Sequence, residues 1–221
     1  MDRLHRSTAL SFFAFAFCIL ASRIDLTAQT QSRTQLALSY VELGDKFAHN
    51  GDFDRAISTY GIAVQLAPDF APAYFKRGLA RQAKGDFSGA ISDYSKTVEI
   101  DPRCANAFYN RGNLWLSQGD VESALGDFDR ALESDPEYVM AYNNRGIAKL
   151  GKGDIEGALA DFDQAIKANA NRPEAYANRG LVRLQQGNRA EAQRDFARSI
   201  SLRPSVKVFI ERRVGEIGQQ N

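Results

Sequence analysis

Apolar residues in this chain recur at helical spacing in short runs, and the runs come in pairs. Between residues 71 and 104, Ala73, Tyr74, Gly78 and Leu79 mark one helix, while Ala90, Ile91, Tyr94 and Val98 mark a second. Gly85-Asp86 separates the two, and Asp101-Pro102 ends the pair. Each break has a physical cause. Glycine can take the left-handed conformation that closes a helix, aspartate can accept backbone N–H bonds at the start of the next, and a residue before proline is pushed out of helical geometry. The pattern predicts a helical hairpin.

The hairpin recurs. Gly51, Gly85, Gly119, Gly153 and Gly187 are each 34 residues apart, and so are Ala56, Ala90, Ala124, Ala158 and Ala192. A unit this short cannot bury its own apolar face, so the copies must stack and share a core. The breaks repeat as Gly51-Asp52, Gly119-Asp120 and Gly153-Asp154, with Gly187-Asn188 as a variant. Pro68, Pro102, Pro136 and Pro204 end the second helices; in the fourth copy Ala170 takes that place and Pro173 follows, which predicts a differently built junction. Gly44, Gly78, Gly112, Gly146 and Gly180 stand in mid-helix, where glycine costs about 1 kcal/mol relative to alanine. A cost repeated in every copy implies a close approach of the partner helix, expected at the alanine column. Two aromatic columns, Tyr60, Tyr94, Phe128, Phe162 and Phe196 in one and Tyr40, Tyr74, Phe108, Tyr142 and Tyr176 in the other, are expected in the core.

An aromatic, Gly four residues on, Ala twelve further, an aromatic after four more and Pro eight beyond: these columns resemble the tetratricopeptide repeat family, over five tandem copies at 37–70, 71–104, 105–138, 139–172 and 173–204. The resemblance implies an all-α fold, an α-solenoid of stacked antiparallel helix hairpins with a right-handed superhelical twist and a concave face lined by the first helix of each repeat. After the last copy, Val206, Phe209, Ile210, Val214 and Ile217 form an apolar stripe, as expected of a C-terminal solvating helix over 205–218. One column departs from the family's usual leucine: Arg77, Arg111, Arg145 and Arg179. Asp93, Asp127, Asp161 and Asp195 follow each of these sixteen residues later, and the first copy lacks both, with Leu43 and Thr59 instead. The paired columns predict structural ion pairs within or between repeats.

The first 28 residues lie outside the period. Arg3, His5 and Arg6 precede an apolar run from Ala9 to Ala21, and a polar stretch reaches Leu26-Thr27-Ala28. That order is the pattern of a signal peptide cleaved after Ala28, and the apolar run of 13 residues is shorter than the roughly 20 that a transmembrane helix needs. It predicts an extracytoplasmic, periplasmic protein whose only membrane contact is a leader retained as an anchor. A short polar lead-in, 29–36, follows. Removing the leader takes away three arginines and two aspartates and leaves 25 basic and 25 acidic residues, a balance that argues against nucleic acid. Cys104 is then the remaining cysteine, so no intramolecular disulfide forms.

No catalytic arrangement emerges. His49 stands alone, the carboxylates at the second-helix starts are one per repeat, and the glycines follow the period rather than forming a phosphate loop. The sequence therefore implies no enzyme, no metal, no cofactor and no small-molecule substrate. The resemblance directs attention to the first helices. Two residues before the mid-helix glycines stand Glu42, Lys76, Asn110, Asn144 and Asn178, and three successive asparagines carry both donors and acceptors for the backbone of an extended peptide. The same face carries Val41, Phe75, Tyr109, Asn143 and Ala177, with Leu79, Asn113, Ile147 and Leu181 one turn on. The candidate peptide-binding set is Phe75, Lys76, Leu79, Tyr109, Asn110, Asn113, Asn144, Ile147, Asn178 and Leu181. The family's carboxylate clamp would need several cations there, whereas only Lys76 is basic and Glu174 is acidic. The expected function is a non-catalytic scaffold holding an extended segment of a partner protein; the alternatives are a self-associating or envelope-tethering array and an accessory factor for envelope polysaccharide.

Overall fold

The computed structural model describes residues 29–218, so the leader and its cleavage site lie outside the described residues. Every regular element among them is an α-helix, and the chain divides into two compact units, the first ending at Ile100 and the second beginning at Asp101. The first holds α1 (residues 29–49), α2 (Phe53–Leu66), α3 (Ala71–Lys84) and α4 (Phe87–Ile100). The second holds α5 (Ala105–Ser117), α6 (Val121–Ser134), α7 (Val139–Gly151), α8 (Ile155–Ala168), α9 (Pro173–Gln185), α10 (Arg189–Leu202) and α11 (Val206–Gly218). The polar lead-in at 29–36 is helical and forms the first turns of α1. Thr34 Oγ1 donates to the Thr30 carbonyl there, so the polar side chains bond back to the helix rather than breaking it.

The breaks form as their residues dictate. Gly85 takes a φ of 83°, and the glycines that share its column have the same left-handed sign. The following aspartates then cap: Asp52, Asp86, Asp120 and Asp154 each accept from the backbone N–H three residues on, at 2.9–3.2 Å. Asn188 starts α10 without a side-chain bond. At the fourth junction Asn169 adopts the extended conformation, φ −151°, without a proline to enforce it. Pro173 instead occupies the first position of α9, where its missing N–H costs nothing.

In the first unit Ala37 and Val41 of α1, Ala56 and Tyr60 of α2 and Ala73 of α3 share one core. In the second unit each hairpin packs internally, successive hairpins meet through α6 with α7 and α8 with α9, and α11 lies on α9 and α10 with Ile210 buried. What closes on the mid-helix glycines is the aromatic column rather than the alanines. A Cβ at Gly146 would sit 2.7 Å from Phe162 Cε1, and one at Gly78 would sit 2.8 Å from Tyr94 Cε1. The alanines are fully buried as well, but they let the helices approach, and the aromatic ring four residues on fills the notch that each glycine leaves.

The Arg and Asp columns pair as expected, and they do so in both ways. Within a hairpin Arg77 meets Asp93, Arg111 meets Asp127, Arg145 meets Asp161 and Arg179 meets Asp195, at 2.6–2.7 Å. Between successive hairpins Arg145 also reaches Asp129 at 2.6 Å, and Arg179 reaches Asp163 at 2.5 Å. Arg81, Lys149 and Arg183 bring a second cation to Asp93, Asp161 and Asp195. Trp115 stands at the corresponding position of the third copy. The bond from Arg179 to Asp195, opposed by burial and reinforced by Asp163, pushes the guanidinium above its ordinary value.

Candidate functional site

Of the candidate residues, Phe75, Lys76 and Leu79 belong to the first unit, on α3. Lys76 Nζ lies 3.0 Å from Asp45 Oδ2, so its charge is already met. The Phe75 ring lies 5.9 Å from that of Tyr94, and Leu79 is exposed.

The others lie in the second unit, where the asparagines form a connected chain of side-chain amides. Asn178 Nδ2 donates to Asn143 Oδ1 at 2.9 Å, and Asn143 Nδ2 donates to Asn144 Oδ1 at 3.0 Å. Asn144 Nδ2 donates both to Asn113 Oδ1 at 2.7 Å and to Tyr109 Oη at 3.2 Å. The chain thus runs from α9 across α7 to α5. Sequence spacing placed Asn110, Asn144 and Asn178 at one height as equivalents, and the structure separates them. Asn144 spends both its N–H groups inside the protein, Asn178 keeps one, and Asn110 donates to the Asn106 carbonyl of its own helix at 2.8 Å. The neighbouring Asn143 carries the link between α7 and α9. Its signal in the sequence was the Asn143-Asn144 pair, which puts two amides on adjacent faces of one turn.

Two openings flank this chain. One, of about 180 Å³, is lined by Tyr109, Val139, Met140, Asn143, Asn144 and the Arg172–Glu174 corner. Glu174 Oε1 accepts from Arg203 at 2.5 Å, while its buried Oε2 has no partner among the described residues. That leaves an acceptor for a donor group of a ligand. The other, of about 540 Å³, lies beyond Asn178 between Ile147, Leu181 and α11, within the size range of ligand pockets. Ile147 is 38% exposed and Leu181 only 9%, so Ile147 forms a rim and Leu181 a floor.

Tyr138, at the start of α7, packs on Tyr109 of the first opening. Its hydroxyl donates to Asn106 Oδ1 at 2.8 Å, and its ring centroid lies 4.9 Å from that of Tyr109. Burial first, then the fields of Tyr109 and Asp135, push its phenol up to about 12. A phenol that holds its proton more tightly when folded contributes stability that is whole below its unfolded value near 10 and lost as pH rises through 12. The second unit should therefore lose stability between pH 10 and 12, and Tyr138→Phe should flatten that loss in chemical unfolding and remove one tyrosinate step near pH 12 at 295 nm. An unchanged alkaline limb in the variant would assign the loss to other groups.

Cys104 is a free, half-buried thiol at the start of α5, and burial pushes its pKa up. Among the described residues no set of His, Cys, Asp and Glu is placed to hold a metal ion, and no helix is long and apolar enough to cross a membrane.

Comparison with known proteins agrees with this architecture. Models described as tetratricopeptide repeat match residues 75–139 and 173–206, and one described as TPR repeat matches 44–85 and 148–187. No curated protein matches the chain. Among solved structures, the MamA protein is 25% identical with a TM-score of 0.69, covering 77% of this chain and 93% of its own. YrrB, described as a TPR protein with an unusual peptide-binding site, is 21% identical with a TM-score of 0.65, covering 76% and 87%. PilF of Pseudomonas aeruginosa is 22% identical with a TM-score of 0.68, covering 86% and 91%. With its repeated hairpins, its left-handed glycines and its glycine–aromatic notches, the chain is an all-α helical repeat solenoid and belongs to the tetratricopeptide repeat family.

Proposed function

We propose that the face of α5, α7 and α9 holds an extended segment of a partner protein, the chain acting as a non-catalytic interaction scaffold. The family supports a protein-binding scaffold in general. The observation that carries the finer reading is the amide chain from Asn178 through Asn143 and Asn144 to Asn113, set between two openings. Side-chain amides offer a peptide backbone donors and acceptors alike without reading its sequence, while the openings take side chains on either side. Holding these amides to one another before binding fixes their rotamers, which lowers the ordering cost when a ligand takes up the remaining valences. The peptide-binding site in YrrB's description is consistent with such use of the fold. The charged, apolar, small order of the first 28 residues supports a reading in which the chain is exported and binds its partner outside the cytoplasm.

The test is an array of short unstructured peptides probed with the protein and with the triple variant Asn110→Ala, Asn144→Ala, Asn178→Ala, checked by circular dichroism. Loss of three hydrogen bonds should weaken bound peptides roughly hundredfold while helicity is retained. Equal binding by a folded triple variant would remove this face from consideration.

A further inference from the structure

The opening of about 180 Å³ between α5, α7 and α9 holds polar groups whose bonding is unfinished. Glu174 gives Oε1 to Arg203, while Oε2 is buried and has no donor among the described residues. Three donors line the same opening with hydrogens to spare. The Tyr109 hydroxyl accepts from Asn144 and donates to no described residue. Asn143 gives one N–H to Asn144 and keeps its second. The Arg172 guanidinium has neither an ion pair nor a hydrogen bond among the described residues.

These groups call for a ligand that donates at one atom and accepts at another. Charge narrows the choice. Arg203 already balances Glu174, and Arg172 adds a positive charge, so a lysine or arginine side chain would enter as one more cation. A carboxylate would meet Arg172 but would offer Oε2 no donor and set a second anion beside it. A primary amide meets both needs with no net charge, because its NH2 donates and its carbonyl accepts. The remaining wall is apolar, with Met140 37% exposed, surface that methylenes next to the amide would cover.

We propose that this opening is a specificity pocket for a glutamine side chain of the bound segment, its NH2 donating to Glu174 Oε2 and its carbonyl accepting from Tyr109, Asn143 or Arg172. The proposal rests on the peptide reading above and adds a sequence preference to it, since amides that bond a backbone read none. Glutamine has a longer methylene stem than asparagine for the apolar wall and is preferred for that reason.

The test uses N-acetylated, C-terminally amidated octapeptides on a glycine–serine background, carrying each of the twenty residues at one central position. Affinity is read by competition against a fluorescein-labelled glutamine peptide. The glutamine peptide should bind best, and its replacement by glutamate or by methionine, of similar size, should weaken binding about tenfold, the scale of one unsatisfied buried polar group. Glu174→Met should erase the preference for glutamine over methionine and leave the methionine peptide bound as before. Arg203→Met, which breaks the same exposed ion pair from outside the opening, should keep the preference. If glutamine, glutamate and methionine peptides bind alike, or if folded Glu174→Met keeps the preference, the amide pocket is refuted. Loss of those peptides by the triple asparagine variant would then still uphold the groove reading, which separates the two failures. A best binder carrying lysine or arginine would make Glu174 a cation site and overturn the proposal. If no peptide binds, both readings fall.

Discussion

Replacing Asp161 by alanine should lower the unfolding free energy by about 3 kcal/mol or more, the usual cost of breaking a buried pair from one side. Its carboxylate is 4% exposed and receives Arg145 at 2.6 Å and Lys149 at 2.9 Å. Removing it leaves Lys149 without its carboxylate and Arg145 with Asp129 alone, beside a site from which most water is shut out. The first copy of the repeat supplies the control, because Leu43 and Thr59 occupy the corresponding places and no ion pair forms there. Thr59 turns its hydroxyl to the Arg55 carbonyl at 2.7 Å instead. The double substitution Arg145→Leu, Asp161→Thr should therefore cost much less than Asp161→Ala alone, within about 1–2 kcal/mol of the parent. Urea unfolding of the three proteins decides the matter. A single-variant loss below 1 kcal/mol would mean that the pair is solvated in practice.

Adding a single methyl group at Gly146 should destabilise by about 1–3 kcal/mol, against the gain of about 1 kcal/mol that helix propensity alone would give. The new Cβ would stand 2.7 Å from Cε1 and 3.0 Å from Cζ of Phe162, a ring with no exposed surface. Gly126 is the internal comparison. It lies on the exposed side of α6 with nothing within 4 Å of its Cβ position, and Gly126→Ala should stabilise by several tenths of a kcal/mol up to about 1. Opposite signs for the two substitutions in thermal or urea unfolding would confirm that the mid-helix column is kept for packing. A gain at both would show that the ring can move.

The fold was legible because its signals are local and repeated. A left-handed glycine followed by a capping aspartate, or a proline after a helix, fixes a boundary by short-range chemistry, and five copies multiply each signal. The Arg and Asp columns were legible for a related reason: their joint absence from the first copy reveals a pair. The partner of the mid-helix glycine was misassigned to alanine because a column tells which residues share a height, not which atoms touch. Depth into the neighbouring helix depends on ring size and tilt, which spacing does not carry. The candidate site suffered most from the same limit. Three asparagines at one register look equivalent in sequence, yet their bonds run sideways, through Asn143 and Asn113, because amides in reach of one another satisfy their own valences first.

The arginines that reach both ways have a thermodynamic meaning beyond the strength of any one bond. Arg145 and Arg179 each hold an aspartate of their own hairpin and one of the hairpin before. Opening one hairpin therefore strips a neighbour of part of its charge balance as well as of its apolar contact. In a linear array this acts as coupling between adjacent units, and such coupling decides whether the array frays from an end or melts as a block. The second unit, with two such bridges in succession, is built to keep its three hairpins in one cooperative transition, so that the face they present is either whole or absent.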